Sequence, residues 1–195
     1  MQDQTLILKE LLNKVHPLQP EVMEELLAIW TPVKAGRKEM MTVTGSVERY
    51  IYVVLDGVQR VYYLDEMDRE ATIVFTYAPS FGGVLDSFLL QTPSKYNYET
   101  LTPSSFLRAS FGSFNALMEK HHGIETLVRK GLSGVIAGLE ERLVEVQSFS
   151  SEEKFRSLLK RSPHVLQLVP HKYLASYLGI DATNFSKLIN KVRIS

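Results

Sequence analysis

Near the C-terminal end, six side chains able to bond a base edge or a phosphate crowd together: Thr183, Asn184, Ser186, Lys187, Asn190 and Lys191. No acid interrupts them. Asparagine suits an adenine edge, lysine a guanine edge or a phosphate, and hydroxyls hold backbone oxygens. Lys172, on the segment before them, adds another cation. The chemistry on offer is recognition of a polyanion. Catalysis finds no comparable set: there is no Gly-x-Ser-x-Gly, His-Glu-x-x-His, phosphate loop or dinucleotide fingerprint, so no enzyme is expected. Cysteine is absent, which excludes disulfides, thiol nucleophiles, Cys-ligated zinc and iron–sulfur clusters. His121-His122 is the only histidine pair. Neighbouring helical residues diverge by about 100°, so the two read as solvated residues at a helix start and no metal site is assigned.

The elements that position the polar set can be read from the same stretch. Pro170 can open a helix whose apolar face is Leu174 and Leu178, with Ala175 small enough for a second helix to cross. Gly179 can take the left-handed conformation that ends it. Asp181 can cap the second helix, whose buried face is Phe185, Leu188, Ile189 and Val192, at i, i+3, i+4 and i+7. Two short helices about a glycine turn make a helix-turn-helix. A plain helical hairpin with a solvated basic face would show the same pattern. Ala175, Gly179 and the apolar register agree with the charge distribution in favouring the first. The net charge is zero, but residues 1–150 hold 14 basic against 19 acidic residues, and residues 151–195 hold 8 against 3, with His164 and His171 besides. An acidic body carrying a basic tail suggests a polyanionic partner.

The rest of the chain divides by periodicity. Residues 5–30 read as helix, interrupted at His16-Pro17. Short strands follow from Val33 to about Ser110, with Asp56-Gly57 read as the tight turn of a hairpin and 65–70 as a polar turn. Ser113 can cap the next helix, which runs, with a break at Gly123, to about Gln147. Its stripe of Val128, Leu132, Val135, Leu139, Leu143 and Val146 resembles a coiled-coil seam and needs a partner, which a homodimer supplies. Gly131, Gly134 and Gly138 lie along an adjoining stripe, where they either admit a second helix or pack under the strands. Ser150-Ser-Glu-Glu153 matches a capping box, and the charge changes sign there, so Phe149-Ser150 is read as a hinge. The expected segments are 1–112, 113–149 and 150–195.

Strand-rich body, long helix and helix-turn-helix together resemble the bacterial Crp/Fnr regulators over nearly the whole chain. The resemblance is carried by Gly36, Gly45 and Gly57 at turns, by the run Tyr50–Gly57, and above all by the run Val169–Ile180, which is similar to the form in members from the Bacteroidetes. It implies an α+β fold: an antiparallel β jelly-roll barrel of cyclic-nucleotide-binding type, a long dimerisation helix, and a C-terminal all-α or winged helix-turn-helix domain. It implies a dimeric transcription regulator whose partners are double-stranded DNA and a second copy of the chain, with RNA polymerase a further candidate.

Three departures qualify it. Where cyclic-AMP binders have Gly-Glu-Leu, the chain has Phe81-Gly82-Gly83-Val-Leu, with Gly83 at the glutamate position. Where they have Arg-Ser/Thr-Ala, it has Ser94-Lys95-Tyr96, so Lys95 alone could meet a phosphate, as a point charge. Cyclic AMP and cyclic GMP are therefore expected to bind weakly or not at all, leaving either another small effector or a pocket filled by Phe81, Tyr96 and Tyr98. The reading helix has Ala182, Thr183 and Lys187 where many members have Arg, Glu and Arg, so the family's usual operator does not carry over. The alternative function is a ligand-sensing or protein-interaction module whose helical tail does not touch DNA. The longest apolar run, Tyr50–Leu55, is too short to span a membrane, and the N-terminus lacks the features of a signal peptide, so a cytoplasmic setting is expected.

Overall fold

The computed structural model describes residues 2–191; Val192, placed by periodicity on the buried face of the last helix, lies outside them. Two helices, α1 (Gln2–Val15) and α2 (Pro20–Ala28), precede a run of strands: β1 (Thr31–Ala35), β2 (Met40–Thr42), β3 (Tyr50–Asp56), β4 (Val58–Leu64), β5 (Glu70–Tyr77) and β6 (Ser80–Gly82). A short helix α3 (Leu85–Leu90) leads to β7 (Asn97–Thr100) and β8 (Ser104–Ser110). The remainder is helical: α4 (Phe111–Lys120), α5 (His122–Ser148), α6 (Ser151–Arg161), α7 (Val165–Leu168), α8 (His171–Leu178) and α9 (Ala182–Lys191). The chain is α+β.

The strands form two four-stranded antiparallel sheets, sheet A in the order β1-β8-β3-β6 and sheet B in the order β2-β7-β4-β5. Tyr52, Val54 and Phe106 of sheet A meet Val61 and Tyr98 of sheet B between them. Each outer face is also covered. Leu8, Leu12, Leu26, Phe114 and Ile124 pack with Val53 and Leu107 on sheet A, and Phe155, Leu174, Leu178 and Phe185 join Val58 beside sheet B. With helices on both outer sides, the central strands have no wet face, which is why Tyr50–Leu55 reads as a continuous apolar run instead of alternating.

Three local expectations need correction. Asp56-Gly57 is not a hairpin turn, because β3 and β4 belong to different sheets and the dipeptide takes the chain across the sandwich. Gly57 has φ +89°, and a Cβ there would collide with Ser104 Oγ and sit 2.6 Å from the Pro103 carbonyl, so glycine is required for two reasons. Ser110, not Ser113, caps α4: it is the last residue of β8, still extended, and its Oγ accepts the Ser113 N–H at 3.2 Å. The interruption between α4 and α5 falls at His121, which is extended and reaches Glu25 at 3.1 Å, and not at Gly123. The capping box forms as read, with Ser150 Oγ accepting the Glu153 N–H and Glu153 accepting the Ser150 N–H at 2.8 Å.

Candidate nucleic-acid interface

The helix pair α8–α9 is built as its sequence dictates. Leu174, Ala175 and Leu178 are buried on α8, Phe185 and Leu188 on α9, and Phe155 of α6 meets Phe185 edge-on at 5.4 Å between ring centres. Gly179 ends α8 at φ +64°, and Asp181 Oδ1 accepts the Asn184 N–H at 2.8 Å to start α9. The polar residues divide. Lys172, Thr183, Ser186, Lys187, Asn190 and Lys191 all lie toward solvent. Asn184 does not point freely outward: it is half-buried, and its Nδ2 donates to Ser151 Oγ at 3.1 Å. Lys191 is paired with Glu152 at 2.8 Å, an exposed ion pair of small net worth that a phosphate could replace. Lys172 lies with its ammonium 4.6 Å from the Tyr173 ring centre.

The residues expected at an effector pocket sit around β6 and the start of β7. Gly82 packs against Tyr98, whose phenolic oxygen would collide with any Cβ there. Gly83 has φ +111° and lies beside Glu48, a carboxylate only 2% exposed. Glu48 accepts the Thr42 hydroxyl and the Tyr50 and Val84 amides; burial pushes its carboxyl above the usual glutamate range, and these donors hold it back in part. Ser94 is buried and closes a turn by accepting the Tyr96 N–H at 2.9 Å, Lys95 is exposed, and Tyr96 packs with Tyr52 and Tyr98. Phe81 faces the other way, into a wholly apolar cavity of about 170 Å³ shared with Leu12, Leu85, Leu89 and Leu132.

On α5, Val128 and Leu132 are half-buried, whereas Val135, Leu139, Leu143 and Val146 are 42–55% exposed. A Cβ on Gly134 or Gly138 would meet nothing within 4 Å, so neither glycine is demanded by packing within the chain. Among the described residues no helix is long and apolar enough to cross a membrane, and no group of three or more acidic or histidine side chains could hold a metal.

No family model matches the sequence, and no curated protein matches it. Solved structures do. FixK2 from Bradyrhizobium japonicum superposes at a TM-score of 0.73 with 14% identity, covering 84% of either chain. CLP, the c-di-GMP responsive global regulator of Xanthomonas campestris, superposes at 0.65 with 14% identity over 89% of this chain and 91% of its own. The Thermus thermophilus catabolite activator protein gives 0.57 with 16% identity, over 90% and 84%. The chain has the fold of these Crp/Fnr-type regulators.

Two buried clusters on that fold escape a reading of the sequence. Arg60 of β4 is 1% exposed and ion-paired to Glu99 at 2.5 Å and Glu70 at 2.6 Å. Burial works against its charge, but the two carboxylates outweigh burial and raise its pKa. Glu145 of α5 gathers Ser157 Oγ at 2.6 Å and Arg161 at 2.9 Å from α6, and Arg142 at 3.3 Å from its own helix. A lone charged residue inside an apolar strand is the available signal for Arg60; Glu145 gives none, being one glutamate among several on a solvated-looking helix.

Burial pushes the Glu145 carboxyl up, but the donors from Ser157 and Arg161 hold it below its ordinary value of 4.5. A depressed carboxylate contributes stability that is complete above the unfolded value and is lost as the pH falls through the folded one. Glu145→Gln should therefore melt below the parent near neutral pH, with the gap narrowing as the pH drops under 4.5. Thermal melts across that range check it; a gap independent of pH would show that the charge is not what joins α5 to α6.

Proposed function

We propose that the chain is a DNA-binding transcription regulator that works as a homodimer, with 1–112 as sensor, 113–149 as dimer helix and 150–195 as reading head. The α8–α9 pair carries this reading: one face fills a helical core, and the other presents Thr183, Ser186, Lys187 and Asn190 toward solvent without an acid among them. The pair thus has the build of a helix-turn-helix whose second helix enters a major groove. The exposed stripe on α5 supports dimerisation, since Val135, Leu139, Leu143 and Val146 lack cover in one copy. Two reading helices must then lie about 34 Å apart, one DNA turn, to fit a palindrome. The structural neighbours support the general class, CLP being a global regulator that links cell–cell signalling to virulence gene expression. The run Val169–Ile180 favours a Bacteroidetes-type member.

The sensor is proposed to act without cyclic AMP or cyclic GMP. Lys95, the one cation the sequence offers to a phosphate there, is exposed and acts only as a point charge, and Tyr98 takes up the space next to Gly82.

Selection from random duplex DNA, run with the full chain, is the test. A palindromic consensus with a steep salt dependence is expected. Lys187→Ala should weaken binding by about 1–3 kcal/mol if it reads a base, and relax preference at one position of each half-site. Failure to select any site, or binding indifferent to salt, would favour the reading in which the helical tail meets protein instead.

A further inference from the structure

The side chains that hold α8 against sheet B converge on Arg60. Its guanidinium carbon lies 3.9 Å from the centre of the Tyr62 ring and 3.7 Å from that of Tyr173, so one cation sits against a ring from the strand and a ring from α8. Glu99 and Glu70 fix that cation from β7 and β5. Beside it, Ser176 of α8 treats the edge of β5 as a sheet neighbour would: its Oγ accepts the Thr72 N–H at 3.0 Å and donates to the Glu70 carbonyl at 3.1 Å. Phe75 and Tyr177 meet at a tilt, 5.3 Å between ring centres, and Arg142 of α5 lies 4.2 Å from the centre of the same Tyr177 ring. Strand, dimer helix and first helix of the pair are therefore joined within about one turn of α8.

We propose that Arg60 and Tyr173 are positioning residues for the reading surface. Neither touches DNA. The cation held between two rings sets α8 on sheet B, α8 sets α9 through Leu174, Leu178 and Phe185, and the direction of the α9 face relative to α5 follows. The inference rests on the DNA-binding reading, since without it there is docking but nothing to aim. The ring, and not the hydroxyl, is what the geometry uses at Tyr173.

The test compares the full chain with Tyr173→Met, which keeps most of the buried volume but loses the ring, and Tyr173→Phe, which keeps the ring. Both leave the pairs of Arg60 with Glu70 and Glu99 in place. Amide exchange at Thr72 reads the docking, with β3 amides as the control for global folding. Exchange at Thr72 should rise about tenfold or more in Tyr173→Met, with β3 unchanged, and stay near the parent in Tyr173→Phe. Binding to selected half-sites at altered spacing reads the aim: the methionine variant should keep its affinity for one half-site and lose its preference among spacings. Unaltered Thr72 exchange, intact spacing preference, or equal behaviour of the two variants would overturn the proposal. If the parent binds no duplex, the DNA reading falls and the positioning role with it, while exchange at Thr72 still reports the docking by itself.

Discussion

Arg60→Ala is expected to destabilise the protein by about 3–5 kcal/mol, the range for removing one partner of a buried ion pair. The loss has an identifiable origin. Glu70 is partly open to water and can be resolvated, but Glu99 is 8% exposed and would be left as a carboxylate in a pocket with no cation. An unpaired buried charge costs more than the pair itself contributes, because the desolvation remains after the attraction has gone. Replacing both groups, as Arg60→Met with Glu99→Leu, should therefore recover part of what the single change loses. Denaturant unfolding of the parent, the single variants and the double variant measures this directly. A loss below about 1 kcal/mol for Arg60→Ala would mean that water reaches the cluster and that the pair behaves as a surface one.

Leu139→Glu is expected to act on assembly instead of on the fold. Leu139 is 53% exposed in one copy, so the substitution should change monomer stability by no more than about 0.5 kcal/mol. In the proposed dimer, two carboxylates would face each other across an apolar seam, which is costly without a counter-charge. Sedimentation should show the variant as a monomer at concentrations where the parent is a dimer. Affinity for a palindrome should fall by about a hundredfold or more, since the second half-site no longer benefits from being tethered to the first. Affinity for an isolated half-site should hardly move. A variant that remains dimeric would take the seam away from Leu139 and its neighbours on α5.

Features fixed by neighbouring residues are legible in the amino-acid order alone. The capping box at Ser150, the left-handed Gly179 and the Asp181 cap depend on groups a few positions away, and each forms as its residues require. Asp56-Gly57 shows where such reasoning stops. The dipeptide asks for a sharp turn, but a positive φ serves a hairpin and a crossing between sheets equally well, and which occurs depends on the partners β3 and β4 find much later in the chain. The interface shows the same division. The exposed Lys187 follows from helical spacing alone, whereas Asn184 is drawn inward by Ser151 and Lys191 is engaged by Glu152, both on a helix no periodicity in α9 could announce. Arg60 is the least legible of all, because its partners Glu70, Glu99 and Tyr173 are brought together only by the sheet and by the docking of α8.

β4 holds five consecutive buried residues, Val58 to Tyr62, answering alternately to the sandwich interior and to the helices outside. An ordinary surface strand has every second position free to drift. This one has none until Tyr63 and Leu64, where it emerges into solvent. Homologous sequences should therefore diverge slowly along β4 and freely at the tip that follows it. The same contrast tells an experimenter where to attach a probe: the turn at 65–69, held by its own Asp65, will carry a label that the strand before it would not tolerate.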